Sequence, residues 1–235
     1  MDLIWQGLVD AFRLLAHGDA QTVRIAKRTL VVSGTATVLA SLVGVPLGAL
    51  LTLRRFRGRQ LLVSLVHTGM GLPPVVVGLG VALLLWRSGP LGGLDLLYTP
   101  AAMVLAQFIV AAPLAAALTA TALALLDPEI IAALRVDGAS ERRVLWETLA
   151  AARPQVRVAV AAAFGRAIAE VGASLMVGGN ILNETRILTT AVTLEVSKGE
   201  FARALALGML LLALAFVVNL GLAFDRRRRL HTEAA

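Results

Sequence analysis

Arg166 and Glu170 stand four residues apart and are the two ionisable residues well inside the largely apolar stretch Val156–Val177. On a helix that spacing puts both side chains on one face, where they can neutralise each other. Charged groups at depth in an apolar medium are costly, and they face a bundle interior or a watery cavity. A second unusual pair, Pro73-Pro74, interrupts the apolar stretch Leu61–Trp86. Proline lacks an amide donor and cannot continue a helix cleanly, so a kink or a local unwinding is expected there. Two readings stand: a bend lining a cavity, or a packing kink. Other chemistries lack their residues. There is no cysteine, and His17, His67 and His231 are isolated, so no thiolate nucleophile and no zinc-ligand pattern exists. No G-x-x-x-x-G-K-[ST] sequence occurs, so nucleotide binding by this chain is not expected.

Elements that could position such residues follow from composition. Of 235 residues, 58% are hydrophobic and 16% charged, with a mean hydropathy of +0.81. Soluble domains run at about 45–50% apolar and about 25% charged. A soluble or disordered chain is excluded; this is an integral membrane protein. A bilayer-crossing helix needs about 20 mostly apolar residues. Five stretches qualify: Thr29–Leu53, Leu61–Trp86, Pro100–Leu126, Val156–Val177 and Ala204–Phe224. Alternating short strands are missing, so helices are the spanning structure and a β-barrel is excluded. Within the first stretch, Gly44 and Gly48 form a GxxxG pattern, read either as close helix packing or as chance in a Gly-rich chain.

Charge gives the orientation. The net charge is +7, with no basic face of interleaved aromatics, so nucleic acid is not an expected partner. Arginines gather instead in three segments: 54, 55, 57 and 59; 135, 142, 143 and 153; and 226 to 229. Five spans place all three on one side, cytoplasmic by the positive-inside bias, with the N-terminus outside. Arg13, Arg24, Lys27 and Arg28 run against that bias. Met1–Ala16 does not read as a signal peptide. The amphipathic stretch Leu3–Leu15 lies in the outer interface or forms an irregular extra span. Residues 178–200 are too polar to span and read as an outer loop or a re-entrant segment. Asn183-Glu184-Thr185 within them also fits a glycosylation pattern.

The long connection 127–153 is not a bare linker. Asp127 is a natural N-cap, Pro128 suits the first helical position, and Glu129 favours the positive end of the dipole. A short helix should follow and end at the turn dipeptide Asp137-Gly138. Ser140 should cap a second helix, with Arg143 and Glu147 paired at i,i+4. Helix, glycine turn and helix are thereby displayed to the cytoplasm, built to dock something.

At this loop the sequence resembles the permease subunits of ABC transporters. Their cytoplasmic motif, Glu-Ala-Ala, three residues, Gly-Ala and a later Leu-Pro, corresponds to Ala132-Ala133-Leu134-Arg135-Val136-Asp137-Gly138-Ala139. The family's Glu falls on Ala132, and Pro154 is displaced from the Leu-Pro position. Gly71-Leu72-Pro73-Pro74-Val75-Val76-Val77-Gly78 resembles a stretch of molybdate-type permeases. The run Phe164–Asn180 (FGRAIAEVGASLMVGGN), continuing to Asn183-Glu184-Thr185-Arg186, resembles tungstate permeases most closely. Leu188-Thr189-Thr190-Ala191 and Glu195-Val196-Ser197-Lys198-Gly199 also resemble that branch.

The resemblance covers residues 29 to 224 and implies an all-α, polytopic fold of about five spans, the type I importer permease fold with a cytoplasmic coupling helix. It implies a non-enzymatic subunit of an oxyanion importer, for tungstate first and for molybdate or sulfate second. ATP and Mg would be bound by two separate ATPase subunits, with a homodimeric permease and an extracytoplasmic binding protein completing the assembly. Ala132, Ala133, Arg135, Asp137, Gly138 and Ala139 would meet the ATPase. Pro73, Pro74, Val75, Arg166, Glu170, Gly172 and Ser174 would lie on the pathway, where Arg166 could offset an oxyanion's charge. Asn180, Glu184 and Arg186 would meet the binding protein. Three regions are expected: an outer or interfacial segment 1–28, a transmembrane domain 29–224, and a basic cytoplasmic tail 225–235. An ATP-independent secondary transporter or a membrane scaffold would be the rival classes. The first would be expected to show internal repeats or several intramembrane acids, and Glu170 is the one clear candidate.

Overall fold

In a computed structural model the described residues are Trp5, Val9 and 19–230, with only the helical backbone described for 223–230. The interfacial or spanning stretch Leu3–Leu15 and the end of the basic tail, 231–235, lie outside them. Ten α-helices run along the described chain, with no strand among the described residues. They are α1 (Ala20–Leu53), α2 (Arg59–Met70), α3 (Pro74–Leu85), α4 (Pro100–Ala124) and α5 (Pro128–Val136). There follow α6 (Glu141–Ala151), α7 (Arg153–Ile168), α8 (Gly172–Gly178), α9 (Leu188–Ser197) and α10 (Phe201–Leu230).

Among the described residues three helices are long and apolar enough to cross a membrane: α1, α4 and Phe201–Leu222 within α10. The other two expected spans are each broken. The second is α2 plus α3, bent by 106°, and the fourth is α7 plus α8, bent by 55°. Counting each bent pair as one span gives five. The proline pair predicts the first break, but its size exceeds a kink. The second break, at Ala169–Val171, falls where a continuous span was expected and where no proline stands. The first span also starts earlier than expected, at Ala20 rather than Thr29. Asp19 caps it, accepting from the Thr22 amide at 2.9 Å and the Thr22 hydroxyl at 2.7 Å. A helix needs apolarity only where lipid surrounds it, so Arg24, Lys27 and Arg28 extend α1 beyond its apolar part.

The core sits between α1 and α4, with α3, α7 and α8 packed around that pair. Small residues set the spacing. A Cβ on Gly44 would lie 2.7 Å from the Ala112 carbonyl oxygen, and one on Gly48 would lie 2.3 Å from that of Ala116. The GxxxG pattern is thus a close-packing seam, of the kind that replaces the hydrophobic drive lost in lipid. Val32, Val77, Val81, Met103 and Val177 fill the half of the bundle away from Leu53, Ala40, Ala111, Ala115, Ala163 and Ala167 its middle, and Ala49, Leu123, Leu149 and Ala152 its Leu53 end. Contrast α10, whose apolar face, including Leu212, Phe216 and Val217, is largely exposed.

Candidate functional site

The two broken spans meet at their breaks. Gly71, Leu72 and Pro73 separate α2 from α3, and Pro74 opens α3 with its missing N–H where no intrahelical bond is needed. Opposite it, Gly172 opens α8. A Cβ on Gly172 would lie 2.7 Å from Val75 Cγ2, and one on Gly78 would lie 2.7 Å from Ala173 Cα. Glycine is therefore required at both positions by the close approach of α3 and α8. Val75 and Val76 remain more than half exposed beside this junction.

Glu170 lies in the second break, not on a helix. Its side chain is 2% exposed, and Oε1 accepts from the Ala173 amide at 2.9 Å, which satisfies one of the free donors at the start of α8. Oε2 sits 4.0 Å from Arg166 Nη1, an ion pair at i,i+4 but too long for a hydrogen bond. The Glu170 carbonyl accepts from the Thr189 hydroxyl at 3.1 Å, tying the break to α9. One carboxylate thus holds the α8 start and balances Arg166.

Ser174 is fully buried one turn into α8, and its hydroxyl accepts from Gln107 Nε2 at 2.9 Å. Gln107 lies on α4, equally buried, with Oε1 unpartnered. Sequence reasoning missed this glutamine. Its signal was available: a lone amide inside a 25-residue apolar helix is a costly choice that needs a partner. The junction therefore gathers Pro73, Pro74, Val75, Glu170, Gly172, Ser174 and Gln107, with Arg166 on its flank.

At the Leu53 end of α1, the helix pair of the long connection forms as its caps predict. Asp127 accepts from the Glu129 amide at 2.9 Å, and Ser140 accepts from the Arg143 amide at 3.4 Å. Arg143 and Glu147 pair at 3.8 Å. Gly138 takes a φ of +74°, the left-handed conformation that glycine adopts without penalty. None of α5 is buried in this chain, and Val136 is 86% exposed. Ala132, Ala133, Asp137, Gly138 and Ala139 therefore sit on a projecting, uncovered element. Arg135 turns back instead. Its Nη2 donates to the Leu53 carbonyl at 3.3 Å, and its Nε lies 3.5 Å from Glu141, which also pairs with Arg54 at 3.6 Å. Arg59 Nε adds a bond to the Leu51 carbonyl at 2.6 Å. Two arginines thereby satisfy carbonyls that the end of α1 leaves free.

Toward the other end of α1, residues 179–187 form a braced loop. Arg186 donates to Asn180 Oδ1 and to the Asn180 carbonyl, each at 3.2 Å, and Asn180 Nδ2 donates to the Thr190 carbonyl at 3.2 Å. The Thr185 hydroxyl donates to the Gly178 carbonyl and accepts from the Ile181 amide. Asn180 and Arg186 are thus occupied in shaping the loop, while Glu184, Ile181 and Leu182 are exposed. The loop is fastened to α1. Arg28 donates to the Asn183 carbonyl at 2.5 Å and to that of Arg186 at 3.4 Å, and Thr29 Oγ1 accepts from the Leu188 amide at 2.9 Å.

Broken spans meeting inside an apolar helical bundle, with the exposed helix α5 at one end, are the features of a multi-pass membrane protein. The chain belongs to the binding-protein-dependent transport system inner membrane component family, whose model matches residues 44–230. It is 37% identical over 219 residues to the tungstate uptake system permease protein TupB of Peptoclostridium acidaminophilum, covering 93% of this chain and 96% of that one. A probable anion ABC transporter permease protein of Haloferax volcanii is 41% identical over 91% of this chain and 96% of its own. The molybdenum transport system permease protein ModB of Escherichia coli K12 is 31% identical over 80% and 86%. Among solved structures, an inward-facing MetNI methionine ABC transporter matches with a TM-score of 0.73 at 20% identity, covering 90% of this chain and 96% of that one. A bacterial alginate ABC importer matches at 0.71 and 22% identity, covering 93% and 83%. The fold is the type I ABC importer permease fold, and the chain is a non-catalytic permease subunit.

Proposed function

We propose that this chain is the transmembrane subunit of an ATP-driven, binding-protein-dependent importer of an oxyanion, with tungstate as the first choice of cargo. The observation that carries the reading is its similarity to tungstate permeases along nearly the whole of both chains. Two copies would form the pathway, each meeting one ATPase through α5 and its Gly138 turn. The Leu53 end of α1 and the helix pair are cytoplasmic, and the 179–187 loop faces outward. Residues 1–28, 29–224 and 225–235 keep the roles that the charge pattern assigns. Glu184, with the exposed Ile181 and Leu182 beside it, would meet the binding protein, and Asn180 and Arg186 would hold the loop in shape for it.

The broken spans support a pathway at the junction of α3 and α8. Neither α2 nor α3 is long enough to cross about 30 Å of hydrocarbon, since 12 residues rise about 18 Å. Half-length helices are tolerated in a membrane where they line a cavity or pack on protein. An anion passing Pro73, Pro74, Val75 and Gly172 would have Arg166 on its flank and Glu170 to limit how tightly it binds, while Ser174, buried and bonded to Gln107, would hold α8 in place behind them. Molybdate is the second reading, favoured by the molybdenum permeases that match over 80–85% of this chain.

The test is uptake by proteoliposomes that carry the permease with its ATPase and receive the binding protein outside. Tungstate accumulation that needs internal ATP, stops with vanadate and is outcompeted only weakly by molybdate and sulfate is expected. Uptake that ignores ATP and vanadate refutes the ATP-driven reading, and preferential uptake of molybdate or sulfate refutes the choice of cargo.

A further inference from the structure

Between the last turns of α1, the first turns of α2 and the last turns of α4 lies an open cavity of about 230 Å³. Here an arginine meets an apolar wall. Aliphatic side chains, among them Leu51, Val63, Val66 and Ala124, make most of its lining, and Arg59, His67, Thr52 and Thr121 supply its polar groups. Arg59 is fixed there by its Nε bond to the Leu51 carbonyl, and its two terminal nitrogens have no protein partner among the described residues. The connection that leads into α2 carries three more arginines, Arg54, Arg55 and Arg57.

Nothing acidic offsets this charge from inside the cavity. The three lining helices, α1, α2 and α4, contain no Asp or Glu, and the chain has none from Arg54 to Leu94. Glu141 reaches Arg54 and Arg135, and no ion pair to Arg55, Arg57 or Arg59 exists among the described residues. An anion is therefore called for. The volume falls below the about 300–1,000 Å³ of pockets that enclose a whole small ligand. Its occupant is held by one part of itself and has an apolar remainder to lay along the aliphatic wall and the exposed Leu61 and Leu65 of α2. A free oxyanion has no such remainder, and it would give up water to face mostly aliphatic groups.

We propose that this cavity is a binding site for an anionic phospholipid of the cytoplasmic leaflet, with the phosphate at Arg59 and His67 and an acyl chain along α2. Basic pockets between membrane helices on the cytoplasmic side are suited to such headgroups, and arginines just inside the membrane attract anionic lipid. The proposal rests on the orientation given above and on no choice of cargo.

The test uses the full permease with its ATPase, in nanodiscs of phosphatidylcholine with a minority of phosphatidylglycerol, and reads lipid retained per protomer by native mass spectrometry. Wild type should retain phosphatidylglycerol over phosphatidylcholine. Ala124→Phe fills the cavity from an exposed position while leaving its charge unchanged, and it should bring retention of the two lipids level. Arg59→Gln should weaken retention by about fivefold, the weight of one basic residue at the surface. Equal retention of the two lipids by wild type, or undiminished phosphatidylglycerol in Ala124→Phe, would overturn the proposal. Displacement of the lipid by inorganic phosphate alone would overturn it in favour of a free-anion site. ATP-dependent uptake measured on the same wild-type preparation reports separately on the transport reading.

Discussion

Glu170 offers the most direct way to separate a structural ion pair from a pathway cation. Its carboxylate has two tasks: accepting from the Ala173 amide at 2.9 Å and balancing Arg166 at 4.0 Å. At that separation the gross attraction is about 4 kcal/mol for an effective dielectric near 20. Burying the carboxylate cancels part of it, and Arg166, 34% exposed, keeps some hydration of its own. Glu170→Ala removes both tasks and leaves Arg166 without its partner, a loss of about 3–5 kcal/mol at most, with the lower end expected because water reaches Arg166. Glu170→Gln leaves an oxygen for Ala173 and removes only the charge. The two variants should therefore differ by about 1–3 kcal/mol, the cost of a buried amide without an acceptor. Reversible unfolding in bilayer-mimicking micelles gives these numbers, and proteoliposome uptake gives the functional counterpart. In Arg166→Gln/Glu170→Gln the charge imbalance disappears, so stability should recover relative to Glu170→Gln. If uptake recovers with it, the pair is a structural brace. A stable double variant that cannot transport identifies Arg166 as a group the anion needs. Equal stability of the Ala and Gln variants would refute the claim that Glu170 caps α8.

Packing makes a contrasting prediction at Gly48. A Cβ there would meet the Ala116 oxygen at 2.3 Å, so Gly48→Ala should cost about 1–3 kcal/mol in the same unfolding assay. Gly34→Ala, with nothing within 4 Å, should leave stability unchanged or raise it by up to about 1 kcal/mol; equal effects at the two sites would sink the seam. At the projecting turn, Gly138 has open space around it but a φ of +74°. Gly138→Trp should cost the fold only about 1–2 kcal/mol while abolishing copurification of the ATPase, and retention of the ATPase would refute docking through this turn. Bonds from the Thr22 hydroxyl, and then from its amide, hold the Asp19 carboxyl below its ordinary range. Its contribution to the start of α1 is thus fully present above about pH 4 and is lost as the pH falls through the depressed value. Amide exchange at residues 20–23, corrected for intrinsic rate, should quicken in that acid range; unchanged protection would contradict the cap.

What could be read in the sequence was whatever a side chain does by itself. Asp127, Pro128, Gly138 and Ser140 act locally, so the helix pair was legible to within a residue. Pro73-Pro74 likewise announces a break, because a missing N–H needs no tertiary context. The angle of 106° does not follow from the prolines. It depends on α2 closing against α4, where a Cβ on Gly69 would lie 2.7 Å from Pro113, and on α3 closing against α8. The second break was illegible for a related reason. Ala-Glu-Val-Gly contains no helix-forbidding residue, and only the reach of Glu170 to Ala173, with Thr189 holding the carbonyl, makes the interruption favourable. Arg166 and Glu170 were paired correctly, but from opposite sides of a helix end. Gln107 escaped notice because an amide has no charge to draw attention in a hydropathy scan.

Helix α1 is fastened near one end to the 179–187 loop, through Arg28, and at the other to the helix pair, through Leu53 and Arg54. Those anchors are 25 residues apart, about 37 Å along a helix, which exceeds the hydrocarbon thickness of about 30 Å. One rod therefore carries both faces of the protein, with Pro46 as its one internal proline. A single helix thus joins the helix pair to the far loop, with no loop between them. A partner that seats differently on that loop before and after a displacement of the pair must share a coupling free energy with whatever drives the pair. Each then alters the other's affinity by the same factor. In the importer proposed above, loading from one side and powering from the other would become two readings of a single position of α1.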